Sequence, residues 1–179
     1  MRSLPEGCTF SIISFGSPTF SPLFDEQYYQ EYNDETRDAA IGEIVQMSPN
    51  FGGTDILSPL QAAQSSAHYE SGKKKRIFLL TDGQVSNPLA IVDQAKLHSE
   101  TIRVFTFGLG SGCDKHLITR VARAGRGTHT IVKDGSNDLN GQVIHALGNA
   151  MEPSLKAAQF GWNGVPMETD EVFRNRLVF

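Results

Sequence analysis

The chain has 179 residues, 39% hydrophobic and 20% charged, which fits one α/β-sized unit with a core large enough to fold without covalent staples. Sixteen basic against twenty acidic side chains give a net charge of −4, which argues against affinity built on neutralising phosphates and hence against nucleic acid as a partner. Only two cysteines, Cys8 and Cys113, no apolar window long enough to span a bilayer, and no apolar stretch after Arg2 point to a cytoplasmic setting with no membrane contact.

Short apolar runs alternate with helical patterns along the chain. Thr9 to Phe15 is β-branched and aromatic and predicts a strand, and Thr19 to Phe24 a weaker edge strand interrupted by Pro22. Asn33 or Asp34 then caps a helix with Ala40, Ile41, Ile44 and Val45 on one face, which Pro49 stops. After the turn Gly52-Gly53, Thr54 or Asp55 caps a helix carrying Ile56, Leu57, Leu60 and Ala63, with Pro59 in its first turn.

Ile77-Phe78-Leu79-Leu80 has no polar residue, the pattern of a strand covered on both faces, and it runs into Thr81-Asp82-Gly83. Ser86-Asn87-Pro88 starts a helix with Leu89, Val92 and Ala95 facing inward, and Val104 to Phe107 is another buried strand. Past the loop Gly108 to Gly112, Asp114 caps a helix bearing Leu117, Ile118, Val121 and Ala122, ended by Gly125 or Gly127. Thr128 to Val132 is a last strand, and Leu139 to Met151 a last helix with Val143, Ile144, Leu147 and Ala150 on its apolar side. Residues 1–151 form the main unit, and residues 152–179 are expected to be a linker and the start of a following segment, with a strand at Ala157 to Trp162.

Strands joined through helices imply parallel pairing with right-handed crossovers, a three-layer, doubly wound, mostly parallel α/β sheet. Such sheets bind ligands at their carboxyl edge, so the loops of interest are Gly16 to Ser21, Gly52 to Asp55, Thr81 to Asn87 and Gly108 to Asp114. In two of them, Asp82 offers a carboxylate at the end of a buried strand and Thr54 a hydroxyl before a helix, the hard oxygens a cation prefers.

Gly52-Gly53-Thr54-Asp55-Ile56-Leu57-Ser58-Pro59-Leu60 and Phe78-Leu79-Leu80-Thr81-Asp82-Gly83-Gln84-Val85 resemble the second and third metal-site segments of a von Willebrand factor type A domain. Gly7 to Gly16, Phe105 to Gly110 and Leu117 to Gly125 are similar to the subgroup that carries an inter-alpha-trypsin-inhibitor-type domain before the A domain. The resemblance covers about residues 6 to 151 in the correct order. It implies non-enzymatic protein binding through a metal-ion-dependent adhesion site, in which magnesium held at the carboxyl edge accepts an acidic side chain from a protein partner. Thr54 and Asp82 match two of its ligand positions, and both are the metal residues it assigns.

The Asp-x-Ser-x-Ser segment that the family places after its first strand does not occur in this sequence, nor does an apolar strand before Pro5 to bear it. The resemblance therefore implies a fold lacking its first strand and helix, a fragment of a longer protein. Two strand edges would then face a gap and be open to aggregation or to an extended segment from another chain. One matched carboxylate and one hydroxyl compensate poorly for dehydrating magnesium, so weak or no Mg2+ binding is expected.

Other features carry less. The Gly108 to Gly112 loop, with Asp134 after the next strand, imitates a nucleotide-binding Rossmann-like unit, the alternative reading, yet Cys113 stands where a third glycine is needed. Lys73-Lys74-Lys75-Arg76 reads as a solvated run guarding a sticky strand. No two of the five histidines are spaced as zinc ligands, and Cys113 beside Asp114 and His116 lacks an oxyanion loop. Phe20, Phe24, Tyr28, Tyr29 and Tyr32 are expected to cover the sheet edge. No set of acid, base and nucleophile emerges, and no catalytic residue is assigned.

Overall fold

The computed structural model of the protein describes residues 4, 7–17, 20–24, 29–47, 53–65, 74–82, 85–133, 139–151, 161–162 and 165–166. The first predicted strand is two: β1 (Thr9–Phe10) and β2 (Ile13–Phe15). β2 pairs antiparallel with β3 (Phe20–Pro22), and β1 pairs with β4 (Gln30–Glu31), which the sequence pattern does not reveal. Pro22 closes the β2–β3 ladder opposite Ile13, an end position where its missing N–H matters least.

Helix α1 (Asp34–Gln46) is capped by Asn33, whose side chain accepts from Thr36 N while Thr36 Oγ1 accepts from Asn33 N, a reciprocal capping box. Helix α2 (Leu57–Ser65) is capped by Asp55 and not by Thr54, for the Asp55 carboxylate accepts from Leu57 N, Ser58 N and Ser58 Oγ. β5 (Lys75–Thr81) follows, and then α3 (Pro88–Leu97), with Asn87 as cap and Pro88 at its first position. β6 (Ile102–Leu109) leads to α4 (Lys115–Ala124), where Asp114 accepts from His116 N and Leu117 N. β7 (Arg126–Val132) and α5 (Leu139–Met151) complete the unit, and a short antiparallel pair, β8 (Gly161–Trp162) and β9 (Val165–Pro166), lies beyond it. Residues 157–160 of the expected last strand fall outside the described residues, as do Pro49, Gly52, Gly83 and Asp134.

β5, β6 and β7 form a parallel sheet in that order, joined through α3 and α4. One face of the sheet gives the main core, in which Ile56, Leu60, Leu79, Ile91, Ala95, Val104, Leu117 and Val121 are buried together, with Phe15 and Ile77 against them. Buried Thr106 donates to Ile118 O at 2.8 Å, tying that face to α4. On the other face Phe78 stacks on Phe105 with ring centroids 5.3 Å apart, and Arg76 Nε donates to Ala150 O of α5. Helices thus lie on both faces, the predicted three-layer arrangement. Gly127 sits so close to β6 that a side chain there would run into Val104 O, which requires glycine at this position.

Four predicted faces need correction in part. Leu80 is 48% exposed, so β5 is not covered on both faces at its carboxyl end. It has β6 on one side and, among the described residues, no strand paired to the other, and the β2–β3 pair forms a separate sheet. On α3, Leu89 is 59% exposed, and Ile91 and Ala95 turn inward because α4 and α2 approach from that side. On α1 only Ala40 is fully buried, against Phe10 and Tyr32, and Val45 is 78% exposed. On α5, Ile144 points outward while Ala146 and Ala150 are buried.

Candidate functional site

The carboxyl edge of the parallel sheet is where β5 ends in Thr81-Asp82 and β6 in Leu109-Gly110. Helix α2 lies beside α3, with Gln64 Nε2 donating to Gln94 O at 3.2 Å and Gln94 Nε2 donating to Gln64 Oε1 at 2.6 Å. In the chain α2 precedes β5, and α3 follows the end of β5. Thr54 lies three residues before α2, and Asp82 directly follows β5.

Their surroundings differ. Thr54 is half-buried, in a loop where Gly53 takes a left-handed backbone, φ 66°. A side chain on Gly53 would begin 2.8 Å from Ser17 Cβ, so the end of the β2 strand leans on the Thr54 loop. Ser17 carried no sequence signal beyond its place after Gly16. Asp82 is exposed and lines an open hollow of about 330 Å³ with Leu109, Gly110, Ser111 and Gly112. Among the described residues Thr54 is not part of that lining, so the hollow joins Asp82 to the glycine loop.

The donor set does not fit magnesium. An octahedral ion that dehydrates reluctantly needs several hard oxygens at once. Both oxygens of Asp55 are spent on the start of α2, and Asp114 caps α4. Asp82 and the Thr54 hydroxyl remain, and among the described residues no group of three or more His, Cys, Asp or Glu gathers to hold a metal.

The glycine loop is also shaped for packing. A side chain on Gly108 would begin 2.8 Å from Cys113 Sγ and 2.9 Å from Ile131 Cδ1, so that glycine admits neighbouring side chains to the strand. The first N–H groups of α4, which a phosphate would need, already donate to Asp114. Neither thiol is a ready nucleophile, since burial pushes the Cys8 thiol up and Cys113 is buried.

A family profile for the von Willebrand factor type A domain matches residues 1–131. The chain belongs to this family. It is 37% identical over 164 residues to a von Willebrand factor A domain-containing protein of Dictyostelium discoideum, covering 90% of this chain and 17% of that one. It is 30% identical over 166 residues to human von Willebrand factor A domain-containing protein 5A, covering 93% of this chain and 20% of the human protein. The chain thus spans about a fifth of the length of these relatives.

Among solved structures, BatB from Bacteroides thetaiotaomicron superposes with a TM-score of 0.64 at 17% identity, covering 80% of each chain. Proximal thread matrix protein 1 from the mussel byssus superposes at 0.60 with 20% identity, over 80% of this chain and 37% of that one. These likenesses concern the fold. A further structure of the mussel protein carries zinc in its adhesion-site motif, a property of that protein. Domains of this family are generally protein-interaction modules and can bind a metal at an adhesion-site motif. No described helix of the present chain is long and apolar enough to cross a membrane.

Proposed function

We propose that this von Willebrand A chain is a non-enzymatic protein-recognition module of the cytoplasm that works through the carboxyl edge of its sheet with little or no help from magnesium. The observation that carries this reading is the exposed carboxylate of Asp82, which among the described residues caps no helix, lining a hollow with Gly110, Ser111 and Gly112. In the family arrangement a cation lies between protein and partner, and an acidic partner side chain completes its shell. With too few oxygen donors around it to hold a cation, the same Asp82 presents negative charge directly. It then takes a lysine, an arginine or a backbone N–H from the partner, a charge-assisted hydrogen bond in place of coordination.

Nucleotide binding is not supported by the geometry, because Asp114 occupies the start of α4 and Asp82 would repel phosphate.

Photo-crosslinking tests the proposal. A crosslinking residue at Ser111 is expected to capture a protein partner, to lose it when Asp82→Lys is introduced, and to keep it in EDTA. Equal capture from a probe at exposed Val45 of α1, or capture that disappears with EDTA, would contradict it.

A further inference from the structure

Helix α4 shows the core one face and solvent a wholly basic one. Leu117, Ile118, Val121 and Ala122 are buried, whereas Lys115, His116 and Arg123 are exposed and Arg120 half-buried, with no acidic residue in the helix. Among the described residues the Lys115, Arg120 and Arg123 side chains make no ion pair. The pattern does not serve the helix itself. Lys115 and His116 stand in its first turn, where the helix dipole favours acids, and Arg120 and Arg123 are like charges three residues apart. The double cap by Asp114 and the buried apolar side hold this basic face in a fixed position.

Helix α1 is its complement. Of its thirteen residues only Ala40 is fully buried. Arg37 engages Asp34 and Asp38, which leaves Glu35 and Glu43 exposed and without an ion pair among the described residues. The side between them carries Ala39 and Gly42. Nothing lies within 4 Å of where a side chain on Gly42 would begin, so the fold does not require glycine there, and glycine inside a helix weakens it. What it provides is backbone that another helix can approach closely. Glu35 to Glu43 and Lys115 to Arg123 are both spans of eight residues, about 12 Å along a helix axis. Laid antiparallel, the helices bring Glu35 to Arg123 and Glu43 to Lys115, with Ala39 and Gly42 against Thr119 and His116. The acidic first turn of α1 then lies on the basic last turn of α4, the arrangement in which the two dipoles attract.

Within one chain the two helices serve other contacts: α4 packs on β6, β7 and α3, and Ala40 of α1 on Phe10 and Tyr32. We infer that α1 of one copy docks antiparallel on α4 of a second copy, an asymmetric self-association held by the Glu35–Arg123 and Glu43–Lys115 pairs, with Gly42 at the crossing. The net charge of −4 makes copies repel at long range, so the attraction is local and the affinity modest. The contact uses neither Asp82 nor Thr54 and stands apart from the capture of another protein at Ser111.

Sedimentation velocity on the purified whole chain over a concentration series tests it. The average mass is expected to rise with concentration and to fall back as salt is added. Two charge-reversed variants, Glu35→Lys with Glu43→Lys and Lys115→Glu with Arg123→Glu, should each associate about tenfold or more weakly than the parent. Mixed together they should form a one-to-one pair, because each keeps the face that the other has lost. Gly42→Leu involves no charge change: it should melt as high as the parent or higher, since leucine is the better helix former, and yet fail to associate. Gly148→Leu, the same exchange in open space on α5, should associate like the parent. The inference is overturned if the parent stays monomeric, if either charge variant associates as strongly as the parent, if the folded variants do not pair on mixing, or if Gly42→Leu associates unchanged. Association that strengthens with salt would also overturn it, placing the contact on exposed apolar residues such as Val45.

Discussion

At Gly127 the strand backbone passes so close to Val104 O that no side chain fits, and the neighbouring Gly125 is crowded by the Val104 side chain. Because the obstacle at Gly127 is backbone, relief must come from moving β7 off β6. Gly127→Ala is expected to cost about 3 kcal/mol in denaturant unfolding, whereas Gly148→Ala, with open space beside it on α5, should stabilise slightly. Equal effects at the two positions would show that the β6–β7 contact is looser than described. The residues of the rim were legible to different degrees. Asp82 could be picked out from Leu80-Thr81-Asp82-Gly83 because a carboxylate after an apolar run must emerge at a sheet edge. The cap of α2 could not be assigned between Thr54 and Asp55, since both residue types cap helices and only the bonds from Leu57 N and Ser58 decide. The approach of Ser17 to the Gly53 turn was illegible, for it depends on which loop comes to lie alongside.

Helix starts were read well because capping is local chemistry. Asn33, Asn87 and Asp114 each accept from backbone N–H groups two or three residues on, so sequence spacing contains nearly the whole interaction. Helix faces were read less well. Of Leu89, Val92 and Ala95, the last two do turn inward, while Leu89 is exposed and Ile91 joins the buried face, because α2 and α4 decide which side is covered. In α4 the apolar stripe Leu117, Ile118, Val121 and Ala122 is narrow and opposed by Lys115, Arg120 and Arg123, so pattern and burial coincide. Strand β1–β2 was predicted as one element, and pairing of Thr9 with Glu31, remote in sequence, is what divides it. Among the caps, Asp114→Ala should cost about 1 kcal/mol or somewhat more, because its carboxylate serves two N–H groups of a helix with a fully buried face. Asn87→Ala, which loses one bond of 3.3 Å, should cost less. The reverse order in chemical denaturation would place the anchoring of the sheet in α3.

For the molecule as a whole, the alternation of strands and helices was enough to predict parallel pairing and crossover helices, because few other topologies bury such strands. What lies on the outer edge of β5 was not readable in that way. The structure keeps the β2–β3 pair and the β5–β6–β7 sheet as separate hydrogen-bonded units among the described residues, joined through the side chains of one core. The central claim is that the carboxyl edge recognises protein without a resident cation, and thermal melting with magnesium against EDTA tests it most directly. A site filled at a hundred times its dissociation constant would add about 2.7 kcal/mol, a rise of about 5 °C or more for a chain of this size. The melting temperature is expected to be the same in both conditions. A rise of several degrees with magnesium that Asp82→Ala abolishes would contradict the account.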